Sequence, residues 1–572
     1  MIRSDSTLRI YILLAGCLLF IPFLGAVHLF DWDEINFAEC AREMITTGDY
    51  STAQINYFPF WEKPPLFIWM QVASMKVFGI NEFAARFPNA ICGITTLLLV
   101  FNAGRKLYDS RFGLLWSLAF AGSLLPHFYF KSGIIDPWFN LFIFSGIYHF
   151  ILYTNDPGSG SFFNRRILAS AGFIALAVLT KGPVALLVFG LCFIVFRLIS
   201  RRKVMTWKHF ILFGVISLGL GSIWFLILVF QGRPEIILDF LTYQIRLLTT
   251  GDSDHGGPVY YHWVVLLIGC FPASILALRG FRKSESDTPF QNHFKRWMLI
   301  LFWVVLILFS LVKTKIVHYS SLCYFPLTFL AAHTAWKMMN GEIQWKRWMS
   351  ALILLIGGVV GLLLTSIQFV VVFRKEIIAS GLIHDNFASA NLLSDVPWTG
   401  AEFLIGILFL AGVGACIVWV VKKQISRAIL SLFILTLVST SLSSLIFAPK
   451  VEGYSQRAAI EFYQGLKNTD CYVNVYGFKS YAQLFYSAKK PEACRNEGFR
   501  AYIVRSNPLH YKLDPFTLEW YHTDWLLKDK LDKPVYILSK ITGKEEFLRE
   551  FPAFKEIGEK NGFVFFKREA GK

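Results

Sequence analysis

The sequence predicts a polytopic α-helical membrane protein, with about 13 transmembrane helices and a small C-terminal α/β extracytoplasmic domain. Three observations carry that prediction. Hydrophobic residues make up 55% of the 572 and charged residues only 17%, with a mean hydropathy of +0.49; soluble domains carry about 25% charge. Apolar runs long enough to cross a bilayer, roughly 20 residues each, recur through residues 8–447. Basic residues gather in the polar connections between those runs, as the positive-inside rule requires. The formal net charge of +17 is thus spread over loops and forms no single patch for nucleic acid.

The runs fall near 8–30, 87–104, 112–130, 136–154, 167–181, 183–199, 209–230, 259–278, 297–312, 319–336, 349–373, 401–421 and 428–447. The first is too long for a signal-peptide core and lacks a small-residue cleavage site near its end, so it reads as an uncleaved span. The stretch 65–79 is short and carries Gln71 and Lys76, and reads as an interfacial helix. Charge tests the count. With Arg3 and Arg9 inside, alternation puts Arg105, Lys106 and Arg111, then Arg165 and Arg166, then Arg201 to Lys208, in the cytoplasm. It does the same for the groups Arg279 to Arg296, Lys337 to Arg347 and Lys422 to Arg427. A full span at 65–79 would invert everything after it.

The division that follows is a transmembrane domain over 1–447 and an outer domain over 448–572, with long outer loops at 31–86, 231–258 and 374–400. In the outer domain, helical patterns at Ser455–Leu466 and Glu545–Phe551 mix with strand-like runs at Tyr472–Tyr476, Ala501–Val504, Val535–Leu538 and Phe563–Phe566. The nine cysteines show no metal-type spacing. Cys471 and Cys494 both fall in the outer domain, where a disulfide and two free thiols are equally open.

The outer loops carry the chemistry. Asp31, Asp33 and Glu34 open the first loop at the membrane boundary, where adjacent acids are costly unless they meet a cation, a substrate or a cationic partner. Glu39, Arg42 and Glu43 follow at helical spacing, and a solvated amphipathic helix explains them equally well. Glu62 and Lys63 sit between aromatic residues and Pro64-Pro65, which fix the chain direction and suit a rigidly held phosphate or metal contact. Asp136 precedes Pro137 at the start of a span, a position that helix capping also explains. Lys181, Lys313 and Lys315 occupy outer turns that the positive-inside rule disfavours for lysine, which points to a buried anion; snorkelling to the interface is the competing reading. His318 and Tyr319 follow them. The loop 231–258, with Arg246, Asp252, Asp254, His255, Tyr260 and Tyr261, has the length and polarity of a substrate-covering loop.

Together these segments resemble the C-type glycosyltransferases, which include bacterial lipid A aminoarabinose transferases and protein mannosyltransferases. The resemblance rests on Asp33-Glu34-Ile35-Asn36-Phe37-Ala38-Glu39 through Arg42-Glu43-Met44 and Gly48-Asp49-Tyr50, and on Phe60-Trp61-Glu62-Lys63-Pro64-Pro65. It continues in Phe78-Gly79, Glu82 through Pro88, Ile135-Asp136-Pro137, Thr180-Lys181-Gly182, and Lys315 through Tyr319. It spans about residues 8–340; 33–88 is the specific stretch and the outer domain carries none of it. Asn36 stands where the family has Arg, Phe37 and Phe60 where it has Tyr, and Ile316-Val317 where it has Leu-Pro; these departures bear on the sugar or acceptor pocket.

The resemblance implies an inverting transferase that moves a sugar from a polyprenyl-phosphate donor to a lipid A-like acceptor at the periplasmic face of an inner membrane. Protein O-mannosylation is the alternative within the class. A transporter or flippase is the alternative outside it, disfavoured because the charges cluster at the outer boundary and not at mid-depth. By that resemblance Asp33, Asp136 and Glu34 are the catalytic acids, and Lys63, Arg246, Lys315, Tyr319 and Lys181 hold the lipid phosphate. A divalent metal is the one cofactor left open, and Glu62 is where it would sit. Membrane lipids are the remaining partners.

Overall fold

The computed structural model describes residues 5–156, 161–200, 204–249, 256–283, 285–507 and 515–571. Helices dominate it. Among the described residues five are long and apolar enough to cross a membrane: Glu82–Leu107, Pro289–Leu311, Arg347–Val372, Phe403–Val421 and Ile425–Ser455. Two more apolar stretches are bent pairs: Trp207–Gly221 with Ile223–Phe230 at 49°, and Tyr261–Gly269 with Ala273–Gly280 at 110°.

Local chemistry sets the helix ends. The helix Asp5–Phe20 stops two residues before Pro22, whose ring excludes helical geometry from the residue before it. The sequence expected that run to continue to Phe30; instead residues 21–32 run as turns, with Leu24, Val27 and Leu29 buried. The helix Glu82–Leu107 is capped by the Asn81 side chain, which accepts the Ala84 amide at 2.9 Å, and ends on Arg105 and Lys106, which suit the negative end of its dipole. It packs closely on the helix Ser110–Ala121, because a Cβ at Gly113 would come within 2.5 Å of the Phe101 carbonyl. The expected interfacial segment is the 13-residue helix Leu66–Phe78, with Gln71 buried and donating to the Ala85 carbonyl.

Several helices share a polarity. Asp136–Asn155 and Tyr324–Met339 start, and Arg165–Lys181 and Pro289–Leu311 end, at one common end of the bundle. Basic residues such as Arg165, Arg166, Lys295, Arg296 and Lys337 lie toward their opposite ends.

At the common end the first loop forms the helix Asp33–Thr47 and a short hairpin, β1 (Gln54–Ile55) and β2 (Phe58–Pro59). Residues beyond the helix Ile425–Ser455 form a four-stranded sheet, ordered β3 (Tyr472–Tyr476), β4 (Val535–Lys540), β6 (Phe563–Arg568), β5 (Lys555–Lys560). β3 and β4 are parallel and the other pairs antiparallel. The β5–β6 turn is Asn561-Gly562, both at positive φ, as a tight hairpin requires. The turn rests on the helix Asn386–Leu392 of segment 374–400, with the Phe387 and Phe563 rings 4.9 Å apart. Ala501–Val504, expected as a strand, lies in the helix Glu497–Ser506. Asn496 caps that helix through the Phe499 amide, and Phe499 buries one turn later. Cys471 and Cys494 are free thiols, and Cys494 donates to the Asn56 side chain at 2.8 Å.

Candidate active site

A cavity of about 1190 Å³ opens at the loop-bearing end of the bundle. Asp33 is the first residue of its helix. Trp32 before it holds φ at 74°, which side chains rarely adopt. Asp31 fixes this turn from both sides: its carboxylate accepts the Trp32 and Tyr481 amides at 2.9 and 3.0 Å, and its own amide donates to Gln456. Asp33 therefore faces the cavity with its side chain 45% exposed.

Asp136 opens the helix Asp136–Asn155 and is buried. It makes no capping bond, so the capping explanation of its position does not hold. Its Oδ1 accepts the Lys181 ammonium at 2.6 Å. Its Oδ2 lies 3.7 Å from His318 Nε2, and the same nitrogen is 3.4 Å from Asp33 Oδ2. Two carboxylates from segments a hundred residues apart thus flank one imidazole.

Among the cations lining this space are Lys63, Lys181 and Arg246. Tyr243 organises two of them, with Lys63 5.1 Å and Arg246 5.2 Å from its ring, while Lys181 stands 5.2 Å from the Tyr319 ring. Burial pulls the Lys63 ammonium below the usual lysine range; Glu62 opposes the shift and Lys181 adds to it. A lysine under that strain gains by meeting an anion.

Three sequence expectations are corrected by these positions. Glu34 touches the cavity wall, but its oxygens are taken up elsewhere. It pairs bidentately with Arg86 at 2.7 and 2.8 Å and accepts the Phe30 and Gly133 amides at 2.9 and 2.6 Å. Burial raises its carboxyl, but Arg86 and the amides outweigh burial and hold it below the usual range. Glu34 is a structural anchor. Lys315 does not line the cavity; its ammonium caps the helix Pro289–Leu311 through the Phe309, Ser310 and Val312 carbonyls at 3.0, 2.7 and 2.5 Å. Glu62 accepts the Tyr243 hydroxyl at 3.0 Å and lies 4.0 Å from Lys63. A cation already shares that carboxylate, and among the described residues no three His, Cys, Asp or Glu are grouped to hold a metal ion. A divalent metal at Glu62 does not fit these neighbours.

The solvated reading of Glu39, Arg42 and Glu43 fails too. All three are buried, with Arg42 forked onto Glu39 at 2.6 and 2.7 Å. Glu43 accepts the Tyr57 amide, and the Tyr57 hydroxyl donates to the Lys489 carbonyl. The residues after β3 therefore roof this helix. Asp252, Ser253, Asp254 and His255 lie outside the described residues; Tyr260 and Tyr261 follow them at the start of the helix Tyr261–Gly269.

Sequence reasoning gave no role to His318, Tyr243, Lys131 or the sheet-side residues Lys479 and Tyr481, all of which line the cavity. The only signal for His318 was its place beside Tyr319. The departures Asn36, Phe37, Phe60 and Ile316 also line the cavity.

A polytopic bundle with acids and cations meeting in one cavity at its loop-bearing end resembles the C-type membrane glycosyltransferases, and residues 62–226 match the family described as dolichyl-phosphate-mannose-protein mannosyltransferase. Among particular relatives, the undecaprenyl phosphate-alpha-4-amino-4-deoxy-L-arabinose arabinosyl transferase of Enterobacter sp. (strain 638) is 26% identical over 343 residues, 59% of this chain and 61% of that protein. The protein of the same name from Pectobacterium carotovorum subsp. carotovorum (strain PC1) is 27% identical over 349 residues, 59% of each chain. The match thus spans about 60% of these relatives' length. In fold, ArnT from Cupriavidus metallidurans, crystallised bound to undecaprenyl phosphate, superposes with a TM-score of 0.72 at 16% identity, over 99% of this chain and 98% of that one. The Archaeoglobus fulgidus oligosaccharyltransferase in the apo form gives 0.53 at 10% identity, over 94% and 70%. The chain is a multi-pass membrane protein with the ArnT-like fold.

Proposed function

We propose that the chain is an inverting glycosyltransferase that moves a sugar from a polyprenyl-phosphate donor to a lipid A-like acceptor at the periplasmic face of a bacterial inner membrane. The observation that carries this reading is the meeting of Asp33 and Asp136 with Lys63, Lys181 and Arg246 in one cavity. Transfer forms a bond from an acceptor oxygen to the anomeric carbon and breaks the bond from that carbon to the donor phosphate, which leaves with the electron pair. The leaving phosphate needs cations: Lys63 and Arg246 offer them beside Tyr243, and Lys181 beside Tyr319, whose hydroxyl can donate as well. Asp33, the exposed acid, faces the acceptor and takes or orients its proton. Asp136, neutralised by Lys181, sets the depth of the site.

Thirteen crossings are part of the proposal. The five long helices, the two bent pairs and six further apolar helices each overlap one expected span, and on that count the sheet after residue 448 lies outside. The basic residues at the bundle end away from the cavity support this orientation. The names of the relatives support the donor class. The match of residues 62–226 favours a second reading, transfer to protein.

Lipid and glycoprotein mass spectrometry of a deletion strain, complemented with wild type or Asp33→Asn, tests both. A sugar lost from lipid A, restored by wild type and not by the variant, supports the proposal. Loss from protein alone selects the second reading. Full activity of a correctly inserted Asp33→Asn chain removes Asp33 as the base.

A further inference from the structure

His318 has no part in the reading above, yet it stands at its centre. It sits in the short turn Val317–Cys323 between the helices Pro289–Leu311 and Tyr324–Met339. Its side chain is 14% exposed and its Nε2 lies within 3.4 Å of Asp33 and 3.7 Å of Asp136. Asp136 Oδ2, buried, has no hydrogen-bond partner, although its Oδ1 holds Lys181. A buried carboxylate oxygen left without a donor is costly, and the imidazole Nε2 lies only a few tenths of an ångström beyond hydrogen-bond reach of it. The ring is held edge-on by Tyr319 at 5.5 Å, and Tyr319 packs in turn on Phe309 at 5.4 Å. Asp33, at the edge of the cavity, has more room to turn than Asp136.

We propose that His318 is a positioning residue: its Nε2–H bridges the two Oδ2 atoms and fixes the exposed Asp33 carboxylate in the orientation that faces the acceptor. The buried Asp136–Lys181 pair is the fixed post, and His318 is the strut from that post to the mobile acid. The inference rests on the transferase reading for its purpose, but the strut itself is a geometric claim.

Side-chain geometry supplies the test. A glutamine amide nitrogen falls where Nε2 of histidine does, and an asparagine amide nitrogen falls where Nδ1 does. His318→Ala is expected to lower kcat by about tenfold to hundredfold, the scale of a misplaced catalytic group, with donor KM and undecaprenyl phosphate binding changed less than twofold. His318→Gln restores most of the rate and His318→Asn does not. The assay uses detergent-purified full chain, with undecaprenyl phosphate-linked 4-amino-4-deoxy-L-arabinose or mannose as donor and lipid A as acceptor. A second measurement needs no turnover: the rate at which a water-soluble carbodiimide labels Asp33, read by peptide mass spectrometry, rises in His318→Ala and returns to the wild-type rate in His318→Gln. Equal labelling of Asp33 in all three chains, or a glutamine variant as slow as the alanine one with normal thermal stability, overturns the proposal. If the deletion strain loses no sugar from lipid or protein while Asp33 labelling still follows His318, the transferase reading falls and the strut stands.

Discussion

Replacing Glu34 by alanine separates two adjacent acids that the sequence presents as equals. Glu34 and Arg86 have side chains only 6% and 5% exposed and share two hydrogen bonds. Removing the carboxylate leaves a buried guanidinium without its counter-charge, which costs about 3–5 kcal/mol. Arg86 keeps the Leu24, Val27 and His28 carbonyls, which places the expected loss toward about 3 kcal/mol. Asp33, 45% exposed and 3.4 Å from His318, is a surface-type contact worth less than about 1 kcal/mol. Heating the detergent-purified chains, followed by tryptophan fluorescence and size-exclusion chromatography, is therefore expected to show Glu34→Ala unfolding well below wild type and Asp33→Ala close to it. Sugar transfer is expected to fall most in Asp33→Ala. The pH dependence has a definite sign. A carboxyl held below its usual range in the folded state adds stability above its unfolded value, about 4.3, and that stability is lost as pH falls below it. Wild type should lose on acidification an increment that Glu34→Gln lacks. A Glu34→Ala chain with wild-type thermal stability and no transfer would refute this assignment and return Glu34 to the acids that act on substrate.

Lys63→Ala is expected to weaken undecaprenyl phosphate binding by about tenfold to hundredfold, the loss of one charge-assisted bond of about 1.5–3 kcal/mol, measured by isothermal titration in detergent. Because burial already holds the Lys63 ammonium below the ordinary lysine range, affinity should fall as pH rises through that depressed value, and Lys63→Arg should flatten the alkaline fall; a pH-independent affinity in wild type contradicts this. Lys315→Ala removes the donor to three carbonyls at the end of the helix Pro289–Leu311. It should lower thermal stability by about 1.5–3 kcal/mol and leave undecaprenyl phosphate affinity within twofold; a tenfold loss of affinity at unchanged stability would put Lys315 back among the phosphate ligands.

What could be read in advance follows from the range of the interactions involved. Apolar runs and basic loops are local, so most helices overlap the apolar runs, although the first stops at Phe20, the 112–130 run breaks after Ala121 and the 259–278 run bends by 110°. They also gave the polarity that gathers Asp136, Lys181 and His318 at one end. Asp33 and Asp136 could be singled out because an acid at the mouth of an apolar helix has few bland explanations. Glu34 could not be told from Asp33, because the difference is Arg86, 52 residues on, and the Gly133 amide, 99 residues on. Lys315 failed for the opposite reason: its partners are three to six residues back, and a lysine folding over its own helix end satisfies carbonyls that would otherwise draw it to no ligand. The burial of Glu39, Arg42 and Glu43 depends on residues 481–495 roofing the first loop, a contact that no periodicity in the loop records.

The same roof bears on specificity. Residues from both ends of the chain meet at the cavity rim: Asp31 and Trp32 on one side, Lys479 and Tyr481 on the other, with Lys479 5.4 Å from each aromatic ring. The resemblance read from the sequence counts Lys63, Lys181 and Arg246 among the phosphate-holding positions and sets Asn36, Phe37, Phe60 and Ile316 apart from its pattern; all of them line the cavity. A donor phosphate is the same group whatever sugar it carries, so the residues that hold it have little reason to change. Sugar and acceptor differ between enzymes, and the polar-to-apolar exchanges at residues 37 and 60 remove hydroxyls from the part of the wall that would read them. The chain is therefore expected to share the donor's lipid phosphate with its relatives and to differ from them in what is transferred.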